Sequence, residues 1–231
     1  MSNGTAVSAG LFKSLPFDAV RDFAPISTLG TFDIAVLTAA DAPYKSMAEL
    51  LAYARANPGK LNVGTINVGS TQNLAAELFK NRAGLEFLIV PFNGTPAVTT
   101  ALRGHQVDVA VEILGPMMGQ VQSKAVRVLA VMGDTRASQL PDVPTLMQSG
   151  VAGFDVSSWN ALAAPAKTPK DVIARLNKEV QAAVNAPDVK KKLYDLNVEA
   201  RSSTPEQLGN LLQSDIKRWS EVITRAGVPK M

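Results

Sequence analysis

Leu61-Asn62-Val63-Gly64-Thr65-Ile66-Asn67-Val68-Gly69-Ser70-Thr71 is the stretch on which the fold turns. A short run rich in β-branched residues stops at a polar loop holding two glycines, and a helical pattern then runs from Thr71 to Arg82. The same grammar repeats on both sides. Strands are expected at 33–38, 61–65, 86–90, 107–113 and 126–132, with helices at 71–82, 96–102 and 115–123 between them. Ser46-Met47-Ala48-Glu49 is a capping box, and the helix that it opens stops at Asn57-Pro58-Gly59. Strand and helix alternating at this spacing make an α/β layer with parallel pairs.

The last third reads differently. Thr168-Pro169 starts a helix whose Val172, Ile173, Leu176, Val180, Ala183 and Val184 form one apolar stripe. Pro187 ends it, a shorter helix follows through Leu193, and Thr204-Pro205-Glu206-Gln207 opens another with a stripe from Leu208 to Ile223. The only further strand candidates are 154–162 and 197–200, too little sheet for so much apolar helix surface.

Composition narrows the chemistry. The chain has 231 residues, 46% of them hydrophobic and 19% charged, so it can bury a sizeable core. It contains no cysteine and a single histidine, His105. That combination leaves no thiol nucleophile or thiolate metal site, and it makes a polyhistidine metal site or a serine–histidine hydrolase improbable. No catalytic residue, metal site or cofactor is expected. A net charge of +3, no basic tract and few aromatic residues point away from nucleic acid. No apolar run is long enough to span a membrane, and the start, Met1-Ser2-Asn3-Gly4-Thr5, does not read as a secretory signal.

In open parallel sheets ligands bind beyond the carboxyl ends of strands, where helix N-termini present N–H groups to an anion. The 65–71 loop suits a carboxylate, with glycines for close backbone approach and hydroxyls from Thr65, Ser70 and Thr71. Taken alone, ordinary helix capping accounts for the same residues. The loop is not a phosphate-binding Walker loop, because no Lys-Ser/Thr follows the glycines. Val90-Pro91-Phe92-Asn93-Gly94-Thr95-Pro96 is a second such turn, with Thr95 as the expected cap, and a plain connection explains it equally well. Glu112 ends a third strand, either to select an amine or hydroxyl on a ligand or simply as a solvated acid. Asp108 shares its strand parity, but four residues of strand separate the two by roughly 13 Å, beyond the reach of a glycosidase pair.

Several ordered motifs together resemble one family. Leu15-Pro16-Phe17-Asp18 with Asp22-Phe23-Ala24-Pro25-Ile26, then Asn57-Pro58-Gly59-Lys60-Leu61-Asn62, Gly69-Ser70-Thr71 and Val90-Pro91-Phe92-Asn93-Gly94 fall in its order. Gly104-His105-Gln106-Val107-Asp108, Leu140-Pro141-Asp142-Val143-Pro144-Thr145, Ser158-Trp159 and Thr168-Pro169 continue it. The chain is identified as a member of the TctC/Bug family, the extracytoplasmic solute receptors of tripartite tricarboxylate transporters.

The resemblance implies a type II periplasmic-binding-protein-like α/β fold of two lobes, each a mixed, mainly parallel sheet flanked by helices. One lobe would combine residues 1–32 with 156–231, and the other would be residues 33–155. It implies a non-enzymatic receptor that closes on a di-, tri- or aromatic carboxylate and delivers it to membrane transporter subunits in the periplasm. Carried over by position, the ligand contacts are Thr65, Asn67, Gly69, Ser70, Thr71, Phe92, Asn93, Gly94, Thr95 and Glu112, with Ser2, Asn3 and Thr5 in a loop of the other lobe. Family members usually carry His or a similar residue near Asn73 and Asp where Glu112 stands, so ligand choice is expected to differ. They also begin with a secretory signal and a glycine-rich strand-loop absent here. Truncation of the first lobe is therefore expected, with a homo-oligomer as one way to cover the surface it exposes. An intracellular ligand-sensing or interaction module of similar fold is the alternative reading.

Overall fold

The computed structural model describes residues 1–231, which fall into two compact units: Met1–Phe32 with Ser158–Met231, and Asp33–Ser157. One strand, β1 (Phe23–Ala39), contributes to both. The second unit holds the alternating elements: α2 (Met47–Ala56), β2 (Asn62–Ile66), α3 (Thr71–Ala83), β3 (Leu88–Phe92), α4 (Thr95–Arg103), β4 (Val109–Ile113), α5 (Leu114–Gln122) and β5 (Val126–Val131). Their sheet order is β3-β2-β4-β1-β5.

β2 runs parallel to both β3 and β4, as strand–helix–strand spacing demands. β1 is the exception. It pairs antiparallel with β4, Ala35 opposite Glu112, and antiparallel with β5. The sheet is therefore mixed and mainly parallel. Its central strands β4 and β1 are buried on both faces, with Ile34 to Leu37 and Val109 to Val111 all at 0% exposure, as are Ala130 and Val131 of β5. α3 packs Leu74, Ala75, Ala76 and Phe79 into the core, and the Phe79 ring stands edge-on to Phe154. A second cluster under α4 and α5 gathers Val98, Leu102, Val107, Leu114 and Met117. In β2, Gly64 is closely packed, since an added Cβ would meet Val107 at 3.0 Å and Phe92 at 3.4 Å.

The first unit contains α1 (Asn3–Leu11), β6 (Ser157–Pro165), α6 (Lys170–Asn185), α7 (Pro187–Asp195), β7 (Glu199–Ala200) and α8 (Pro205–Ala226). β6 and β7 both pair with β1. α8 starts at a capping box in which Thr204 caps Gln207, and it buries Leu208, Leu212, Trp219, Val222 and Ile223. α1 lies on α8 so closely that a Cβ on Gly10 would stand 2.8 Å from the Ser220 hydroxyl. α6 and α7 are far less covered. α6 buries only Val184, α7 buries nothing, and Val172, Leu176, Tyr194 and Leu196 are exposed.

The expected loop at Ser2 to Thr5 is instead the start of a helix. Ser2 is the N-cap of α1, Asn3 and Thr5 lie in its first turn, and the Thr5 hydroxyl accepts the Ser2 N–H at 3.1 Å. The small residues of α1 gave no apolar stripe, and its burial is supplied by α8 rather than by its own pattern.

Candidate functional site

Three helices of the second unit begin at the carboxyl ends of three adjacent strands: α3 after β2, α4 after β3 and α5 after β4. Each begins with N–H groups that have no intrahelical partner and with the positive end of its dipole. The sequence dictates this locally. Gly69 takes a φ of +77°, which turns the chain into α3, and Ser70 caps the helix by accepting the Asn73 N–H at 3.1 Å. Gly94 takes a φ of +87° and is the N-cap of α4. The cap is therefore Gly94, not Thr95, because the turn needs a positive φ that glycine adopts without strain.

Asn73 ties the first loop together. Its Oδ1 accepts the Gly69 N–H at 3.1 Å and its Nδ2 donates to the Thr65 hydroxyl at 3.1 Å, both inside the protein. Thr65 in turn donates to the Ile66 carbonyl at 2.9 Å and is wholly buried. Ser70 is further linked to the Ile66 carbonyl at 3.4 Å. The loop backbone is thus fixed from beneath.

Glu112 joins the three helix starts. Its Oε2 accepts from Gln72 Nε2 of α3 at 3.3 Å, from the Thr95 hydroxyl of α4 at 3.2 Å and from the Ile113 N–H before α5 at 3.2 Å. The residue is 0% exposed, and its Oε1 is buried with no hydrogen-bond partner. Burial pushes its carboxyl above the usual range, against the lowering pull of Gln72, Thr95 and Ile113.

The expected contact residues fall into distinct places. Asn67 and Asn93 are exposed at the tips of the two loops, while Ser70, Thr71, Phe92, Gly94 and Thr95 are half-buried around the helix starts and Gly69 is buried. Thr65 and Glu112 lie beneath them. These ten residues share one end of the second unit's sheet. Ser2, Asn3 and Thr5 belong to the first unit. Asn3 is buried there and donates to Asp215 Oδ2 at 3.0 Å, as Trp159 Nε1 does at 2.7 Å. Sequence reasoning missed Gln72 altogether and saw Asn73 only as a position that varies. The available signal was spacing: Ser70 places Asn73 three residues on, as in a capping box, with Gln72 one residue before it at the helix start.

No group of three or more His, Asp and Glu is placed to hold a metal ion, and no helix is long and apolar enough to cross a membrane.

A UPF0065 protein from the tcbD-tcbE intergenic region of Pseudomonas sp. strain P51 is 35% identical over 223 residues, 96% of this chain and 66% of that protein. The chain thus spans about two thirds of the length of that relative. Among solved structures, R. palustris Rpa4515 with adipate aligns over 100% of this chain and 78% of its own, at 27% identity and a TM-score of 0.85. The periplasmic binding protein BugD aligns over the same shares at 28% identity and a TM-score of 0.81. MatC from Rhodopseudomonas palustris with bound malate covers 96% of this chain and 77% of its own, at 29% identity and a TM-score of 0.76. The family described as the tripartite tricarboxylate transporter family receptor matches residues 1–228, and the chain belongs to that family.

Proposed function

We propose that the chain is a non-enzymatic receptor for a small carboxylate, seated at the N-termini of α3 and α4 in the second unit. The observation that carries this reading is that those helix starts, with that of α5, lie at three adjacent strand ends, beside a loop whose Gly69 N–H is held by Asn73. Helix N-termini stabilise a negative charge through their first N–H groups and dipole. The exposed Asn67 and Asn93 side chains supply neutral donors around them. No lysine or arginine occurs from residue 61 to 79 or from 87 to 102, so backbone and neutral donors would do the binding.

The residues divide by role. Thr65 and Asn73 set the loop from beneath, their polar atoms being already engaged with each other and with the backbone. Asn67, Gly69, Ser70, Thr71, Asn93, Gly94 and Thr95 meet the carboxylate, and Phe92 packs against its carbon skeleton. Relatives solved with adipate and with malate support a dicarboxylate as the ligand class. Delivery to a tripartite transporter in the periplasm is part of the same proposal, supported by the family match.

The test is calorimetric titration with succinate, glutarate, adipate, malate and benzoate. Binding of at least one acid, with a matching rise in thermal midpoint, is expected by mass action. Absence of heat and of any midpoint shift across the panel would refute the reading.

A further inference from the structure

Glu112 is an odd occupant of a site meant for anions. It is wholly buried at the junction of three helix starts, and all three of its hydrogen bonds go to one oxygen. The Ile113 N–H can only donate, so Oε2 is held as an acceptor and cannot carry the proton toward it. Oε1 is buried and unpartnered. A buried polar atom with nothing to bond is costly, and it points to a group that arrives with the ligand.

Two kinds of group could meet Oε1: a donor, if Glu112 is ionised, or an acceptor, if Oε1 carries a hydrogen. The surroundings favour the second. The partners of the carboxyl are Gln72, Thr95 and Ile113, all neutral, and burial outweighs them in setting its protonation. The charged groups on the elements packed around it offer no cation at close range. α3 carries Glu77 in its middle and Lys80 and Arg82 in its last turn, and α4 carries Arg103 in its last turn, away from the helix starts. α5, β2, β3 and the rest of β4 carry no charged residue. On β1, Asp33 lies two residues before Ala35, the partner of Glu112, and so has the parity of the same sheet face. An ionised Glu112 beside a bound carboxylate would set two like charges in one buried space.

We propose that Glu112 is the proton-carrying, specificity-determining residue of this site: Oε1 donates a hydrogen to one oxygen of the bound carboxylate, so that binding requires the protonated acid. The inference rests on the carboxylate reading given above. It makes the receptor's affinity a function of pH without any histidine, and it selects carboxylates over ligands that present a hydroxyl or ammonium to the same point.

Two measurements test it. Infrared spectra of the unliganded protein are expected to show a protonated-carboxyl C=O band that persists above the usual carboxylate range and that Glu112→Gln removes. Lack of such a band overturns the proposal whatever the ligand proves to be. Calorimetry with succinate, glutarate and benzoate from about pH 6 to about pH 9, where a free carboxylate is already ionised, gives the second readout. Affinity is expected to fall about tenfold per pH unit above the pKa of Glu112, while Glu112→Gln, which keeps a donor at that point, binds with no such slope. Wild-type affinity that is flat or rises with pH overturns the proposal and leaves carboxylate binding standing. No binding of any acid at any pH overturns the carboxylate reading itself, and this inference with it.

Discussion

Helix α3 of the second unit and helix α6 of the first are both regular and of similar length, yet they are packed very differently. α3 buries six residues, among them Leu74 and Phe79, whereas α6 buries Val184 alone. The sequence pattern suggests the reverse, since α6 has the cleaner apolar stripe. An amphipathic pattern states that a helix needs a cover; it does not say how much cover the rest of the chain supplies. The five-stranded sheet of the second unit gives α3 that cover, and it also fixes the strand ends from which the candidate site is built.

Core truncation should separate the two regions most sharply. Phe79→Ala should destabilise the protein by about 3–5 kcal/mol, whereas Leu176→Ala on the exposed stripe of α6 should cost less than about 1 kcal/mol. Urea unfolding monitored by circular dichroism checks both, and equal losses would break the comparison. The α1–α8 contact of the first unit is the counter-case, a place where that unit is tightly packed. Gly10→Ala puts a methyl against Ser220 and should cost about 1–3 kcal/mol.

Next in size is the loop before α3. Asn73→Ala removes the acceptor for the Gly69 N–H and the donor to Thr65, and should cost about 1–3 kcal/mol. Hydrogen exchange at the Gly69 amide should speed up more than at the buried amides of β4, because the loss is local. An unchanged Gly69 amide would mean that Asn73 does not hold the loop.

The smallest effect concerns pH. The folded-state pKa of Glu112 is raised above its unfolded value, so its contribution to stability is fully present at low pH and is lost as pH rises through the folded value. Between acid and neutral pH the wild type should lose thermal stability relative to Glu112→Gln, with the gap opening as pH rises. A gap that closes with rising pH would contradict the assignment.

Much of this was legible in the sequence because the signals were local. Ser46 with Glu49, Thr204 with Gln207 and the glycines at 69 and 94 each mark an element boundary by their own chemistry. The motifs from Leu15 to Thr168 carried the family, which the comparisons bear out. What stayed hidden was non-local. α1 has no apolar stripe and is a helix because α8 buries Ala6, Val7 and Leu11. The antiparallel insertion of β1 between β4 and β5 depends on pairings some 70 to 95 residues apart, which no local spacing encodes. At the site, the helix starts could be read, but the meeting of Gln72, Thr95 and Glu112 required the sheet order to bring three strand ends together.

The central claim is that an acid binds at the starts of α3 and α4. Amide chemical-shift mapping of the labelled chain during titration with succinate or adipate locates it directly. The predicted result is saturable shifts at the amides of Asn67 to Asn73 and of Asn93 to Val98, with Asn73→Ala weakening them. Saturable shifts confined to other parts of the chain, or none at all, would contradict it.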